Sequence, residues 1–66
     1  MKVVVNGKES ETPEEMTILS LLQSLKVEPQ LVAVDVNDAI IKRKEFATTR
    51  IHHQDRIEIL QMIGGG

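Results

Sequence analysis

One main stretch of this chain repeats with helical spacing, and the segments around it read as strands that must pack on it. Ile18, Leu21, Leu22 and Leu25 recur at i, i+3, i+4 and i+7, which is one face of an amphipathic helix. Thr17 before them is a natural N-cap, since its hydroxyl can accept from the orphan amides of the first turn. Met16 and Leu21 then occupy the two positions of a hydrophobic staple. The helix is expected to stop near Lys26, before Pro29.

The flanks carry strand and turn signals. Lys2–Val5 is short and β-branched, and Asn6-Gly7 after it is a type I′ hairpin signal, because both turn positions tolerate positive φ. The return segment Lys8–Thr12 is polar; its charges at Lys8, Glu9 and Glu11 suit a sheet edge, where they discourage pairing with other chains. Pro13-Glu14-Glu15 breaks it. After the helix, Leu31–Val36 puts Val32, Val34 and Val36 on one face, with Ala33 and Asp35 opposite. Asn37-Asp38 turns the chain into Ala39-Ile40-Ile41. Lys42–Thr49 is polar and irregular, or one helical turn, around the core plug Phe46. Gln54-Asp55 turns into a last strand beginning at Arg56. The order β-β-α-β-β-β gives an α+β fold. A mixed sheet packs on one helix, with the first and last strands parallel in its centre, a β-grasp arrangement. Residues 1–63 form the domain and 64–66 a flexible glycine tail.

Composition sets the remaining bounds. A chain of 66 residues buries only about 60% of the surface it exposes when unfolded, so the core must be small. There is no cysteine, which removes disulfides, thiolate metal sites and thiol nucleophiles. This suits a reducing cytoplasm, the expected location. No segment reaches membrane-spanning length or forms a signal-peptide h-region. The net charge is −2, acids and bases are interspersed, and Phe46 is the sole aromatic. Nucleic-acid binding therefore lacks both its basic footprint and its stacking platforms. The expectation is a monomer with no membrane partner.

Gly64-Gly65-Gly66 follows the apolar alternating run Arg56–Ile63. Glycine has no Cβ and passes through channels that exclude other residues. Three extended residues reach about 10 Å, enough to place Gly66 inside a partner's active site while the body docks outside.

Taken together, several segments resemble a family. They are Val3-Val4-Val5-Asn6-Gly7, Thr17-Ile18-Leu19-Ser20-Leu21-Leu22, Val32-Ala33-Val34-Asp35-Val36-Asn37, Arg43 with Glu45-Phe46, and Asp55-Arg56-Ile57-Glu58-Ile59 leading to Ile63-Gly64-Gly65-Gly66. In this order and at this length they are similar to the ubiquitin-like sulfur carriers, and most of all to the ThiS family of thiamine biosynthesis. Three positions depart from the family pattern: Gln54 where glycine is frequent, Lys42 where proline is, and Phe46 where tryptophan is. They touch turns and packing rather than the tail.

The resemblance implies a protein cosubstrate rather than an enzyme. A ThiF-like adenylating enzyme would activate the Gly66 carboxylate with ATP. A persulfide donor would convert it to a thiocarboxylate, and a ThiG-like thiazole synthase would take the sulfur for thiazole formation. No cofactor is bound by the carrier itself; the ATP belongs to its partner. Gly64 and Gly65 would thread the partner's site. Val4, Leu60 and Met62 are expected to form an apolar docking patch beside the tail. Other readings stay open: a molybdopterin-synthase small-subunit-like carrier, a protein-tagging modifier, or an adaptor that binds through its sheet face without tail chemistry. His52-His53 are neighbours pointing to opposite faces and make a poor metal pair. Glu14, Glu15, Asp35 and Asp38 read as solvated surface, and the strip Glu9, Glu11, Glu14, Glu15 as a feature steering towards a basic partner. No metal is expected.

Overall fold

A computed structural model describes residues 1–62. The strands are β1 (Lys2–Val5), β2 (Lys8–Glu11), β3 (Val32–Val36), β4 (Ala39–Ile41) and β5 (Arg56–Gln61), with one α-helix, α1 (Ile18–Ser24), between β2 and β3. The sheet order is β2-β1-β5-β3-β4. β5 runs parallel to β1 and antiparallel to β3, so the last strand is central and parallel to the first. Both outer pairs are hairpins with positive φ at both turn residues, Asn6 and Gly7 in one, Asn37 and Asp38 in the other. The β-grasp expected from element order is therefore the observed fold.

The core lies between the sheet and α1. Val3, Val32, Val34 and Ile57 come from the sheet, Ile18, Leu21 and Leu22 from the helix, and Phe46 and Ile51 from the connection between β4 and β5. A helix of seven residues has no stability of its own in water. Burial of Ile18, Leu21 and Leu22 holds it in place. Its first turn is also closed by partners. The Thr17 hydroxyl accepts from Ser20 N–H at 3.1 Å. The Ile18 and Leu19 amides donate to the carbonyls of Thr49 and Phe46 at 3.0 and 2.9 Å. Phe46 is thus both the expected core plug and a backbone cap for α1.

Leu25 departs from expectation. It follows the i+7 spacing of the buried face but is 47% exposed, because the helix ends at Ser24 and Leu25 is its C-cap. The end is a Schellman motif: Val27 N–H donates to Leu22 carbonyl at 2.9 Å and Lys26 N–H to Gln23 carbonyl at 3.1 Å. Lys26 sits at φ 59° there, a position that favours glycine. Lys26→Gly should stabilise the domain by about 0.5–1 kcal/mol, read as a higher urea midpoint at unchanged m-value. An unchanged or lower midpoint would count against the left-handed cap. Gln54, where family members often carry glycine, likewise lies at φ 69°. Lys42, where they often carry proline, lies at φ −71°, which a pyrrolidine ring would accept.

Candidate functional site

β5 is the strand that leads to residue 63 and beyond, so its bracing fixes the site. Asparagines from the two hairpins hold it from opposite sides. In the β1–β2 turn, Asn6 Oδ1 accepts Ile59 N–H at 2.8 Å and Asn6 Nδ2 donates to Ile59 carbonyl at 3.3 Å. The side chain extends the ladder in which Val4 and Asn6 amides donate to Asp55 and Ile57 carbonyls. In the β3–β4 turn, Asn37 Oδ1 accepts Arg56 N–H at 2.9 Å and Asn37 Nδ2 donates to Asp55 Oδ1 at 3.0 Å. Asp55, a buried carboxylate, also accepts His52 N–H at 2.7 Å and so closes the turn that starts β5. The sequence marks Asn6, Asn37 and Asp55 only as turn formers. The long-range bonds of Asn6 and Asn37 to β5, and of Asn37 to Asp55, leave no local signal.

The outer face of the sheet, away from α1, carries the candidate surface. Leu60 is 63% exposed and stands opposite Ala33. Met62 is 46% exposed, and its N–H donates to the carbonyl of Leu31, itself half exposed, at 2.7 Å. Leu31, Leu60 and Met62 therefore gather at the end of β5. Val4 does not join them. It is partly buried and paired with Arg56 and Glu9, at the opposite end of the strand from Leu60. The expected three-residue patch is thus divided, because β1 runs beside the start of β5 and not its end. Leu31, which the sequence offers only as the start of a strand, instead closes a short 3-10 turn over Pro29–Leu31 and meets the end of β5 through its carbonyl. Gly64, Gly65 and Gly66 lie outside the described residues.

Between these ends the face is acidic. Carboxylate oxygens of Asp35, Asp38 and Glu58 lie within 4.8 Å of one another. The Arg56 guanidinium approaches Asp38 at 3.6 Å and offsets part of their repulsion. Ile40, 82% exposed, stands opposite Asp35 on the same face. Of the histidines, His53 Nδ1 accepts Lys2 N–H at 3.0 Å, while His52 is largely exposed. The two rings thus share no common partner: His53 bonds the β1 backbone, and His52 bonds Asp55 through its own backbone N–H. Among the described residues no helix is long and apolar enough to cross a membrane.

Comparison with known proteins places this geometry. The ThiS family model matches residues 3–66. Over 63 residues the chain is 33% identical to the sulfur carrier protein ThiS of Bacillus subtilis, covering 94% of this chain and 96% of that one. Its whole length is 38% identical to part of a thiazole synthase from Paramagnetospirillum magneticum, of which it spans only 20%. A crystal structure of a ThiS thiamine biosynthesis protein from Geobacter metallireducens superimposes with a TM-score of 0.87 at 35% identity, with full coverage of both chains. That neighbour makes the fold the ubiquitin-like β-grasp. On the family match and these relatives, the chain belongs to the ThiS family.

Proposed function

We propose that this protein is a sulfur carrier for the thiazole ring of thiamine, with the carboxylate of Gly66 as the reacting group. The observation that carries the reading is the family match, which runs through the triglycine to residue 66. A carboxylate is a poor electrophile and needs a leaving group before sulfur can enter. A ThiF-like enzyme would supply one: a carboxylate oxygen attacks the α-phosphorus of ATP, pyrophosphate leaves, and an acyl-adenylate remains. The terminal sulfur of a persulfide donor then attacks the acyl carbon and AMP leaves. A thiol cleaves the sulfur–sulfur bond, and the thiocarboxylate is released. The carrier contributes no catalytic side chain to these steps. It supplies the acyl group and the surface that brings it to each partner.

A ThiG-like thiazole synthase is the proposed acceptor. Support comes from the thiazole synthase of Paramagnetospirillum magneticum, part of which is similar to this whole chain. Leu31, Leu60 and Met62, exposed at the end of the strand that leads in sequence to Gly64 and Gly65, are the proposed docking surface. The acidic centre at Asp35, Asp38 and Glu58 fits a partner that surrounds an apolar contact with cationic side chains.

Intact mass tests the reading directly. Native and Gly66-deleted chains, isolated from cells containing the sulfur-transfer partners, should differ in one respect beyond the missing residue. The native chain carries the mass increment of one oxygen replaced by sulfur and the deleted chain does not. A native chain still unmodified after incubation with ATP, an adenylating enzyme and a persulfide donor would overturn it.

A further inference from the structure

The far edge of the sheet carries a second surface that the carrier reading leaves unused. β2 is an edge strand, and its backbone orientation follows from its pairing. The Met1 ammonium and Thr12 N–H each donate to the other residue's carbonyl, at 2.6 and 2.8 Å, so this facing pair is hydrogen-bonded. Antiparallel pairs alternate. Ser10 and Lys8 therefore also turn their amides and carbonyls to β1, while Glu9 and Glu11 turn theirs to the open edge. Beside this edge, between β2 and α1, lies a groove of about 740 Å³. Val5, Met16, Leu21, Leu25 and Val27 make its apolar wall. Leu25 is the residue that the early helix end leaves exposed.

We propose that the β2 edge and this groove form a docking site for an extended segment of another protein, in which apolar and basic residues alternate. Such a segment would add to the sheet as a sixth strand. Its backbone would meet the free groups of Glu9 and Glu11. Successive side chains of a strand point to opposite faces. One set therefore falls into the groove, which is apolar. The other falls on the outer face beside the Glu9 and Glu11 carboxylates, which form no ion pair within 4 Å among the described residues and call for lysine or arginine. The same carboxylates argue against a second copy of this chain, whose β2 would set Glu against Glu across the new pair. The site lies at the β2 edge, separated by β1 from the β5 strand that carries Leu60 and leads to Met62, so it can be filled while the β5 end is in use.

Titration of the full ¹⁵N-labelled chain with a short capped peptide of alternating lysine and valine tests this. The expected result is amide shifts at Glu9, Glu11, Leu25 and Val27, with slowed hydrogen exchange at the Glu9 and Glu11 amides. Leu25→Glu should weaken binding about tenfold, equal to 1.4 kcal/mol. Glu9→Gln with Glu11→Gln should weaken it as well, and Leu60→Asp should leave it unchanged. Three titration results overturn the proposal. They are no shifts at millimolar peptide, shifts centred on Leu60, or equal binding of a lysine–serine peptide that offers charge alone. Concentration-dependent dimerisation of the free chain through β2 would also overturn it, by giving the edge to a second copy. None of these outcomes bears on the chemistry proposed for Gly66.

Discussion

Leu60→Asp combined with Met62→Asp is expected to lower kcat/KM for adenylation by a ThiF-like partner on the order of a hundredfold while leaving the domain folded. The two side chains are among the large apolar groups left exposed, at 63% and 46%, and neither belongs to the core. Exposed substitutions of this kind alter stability by only about 0.5 kcal/mol. At a docking surface the cost is much larger, because each carboxylate must be desolvated against an apolar partner. The acids at Asp35 and Glu58, paired two residues along the register from Ala33 and Leu60 and on the same face, would add repulsion. The kinetic form of the loss is as informative as its size. Removal of binding made equally in ground and transition states raises KM and spares kcat. A folded double variant adenylated at the unaltered rate would remove the β5 end as the docking surface. It would leave the Gly66 proposal standing on its own test. Gln23→Ala, exposed on α1 and outside both surfaces, serves as the control and should change neither parameter.

Why the sequence reveals some of this and not the rest follows from which interactions are local. Asn6-Gly7 and Asn37-Asp38 show their turns because positive φ at consecutive residues restricts the residue types that fit. Val3, Val32, Val34 and Ile57 show their faces because a strand alternates strictly. Leu25 misleads because periodicity records which side of a helix a residue occupies but not where the helix ends. The Schellman turn at Lys26 decides that, and it carries lysine where glycine would have announced it. Val4 misleads for a different reason. Strand alternation assigns it a face, yet whether it meets Leu60 depends on register between strands far apart in sequence. The register pairs Val4 with Arg56. Asn6, Asn37 and Asp55 show the same limit, since each braces β5 through a partner distant in sequence.

Phe46→Ala is expected to cost about 3–5 kcal/mol, the usual range for removing a buried aromatic ring. A domain of this size has only roughly 3–10 kcal/mol in total. Phe46 is 3% exposed and is the single aromatic in a core otherwise built from valine, isoleucine and leucine. No neighbour of comparable size can move in to fill the space. Its carbonyl accepts Leu19 N–H, so displacement of its loop would also release the first turn of α1, whose seven residues cannot persist alone. The variant should therefore show a urea midpoint shifted close to zero denaturant, with the loss spread over sheet and helix amides alike. Phe46→Leu keeps most of the apolar volume and should retain a clear transition. An alanine variant with an unchanged midpoint would mean that the ring is not the keystone of this core. Sulfur loading separates a folding effect from a chemical one. The alanine variant should load in proportion to its folded fraction, and an excess of adenylating partner should restore loading by drawing the equilibrium towards the bound, folded state. A Gly66-deleted chain, folded but lacking the acyl group, should not be rescued at any partner concentration.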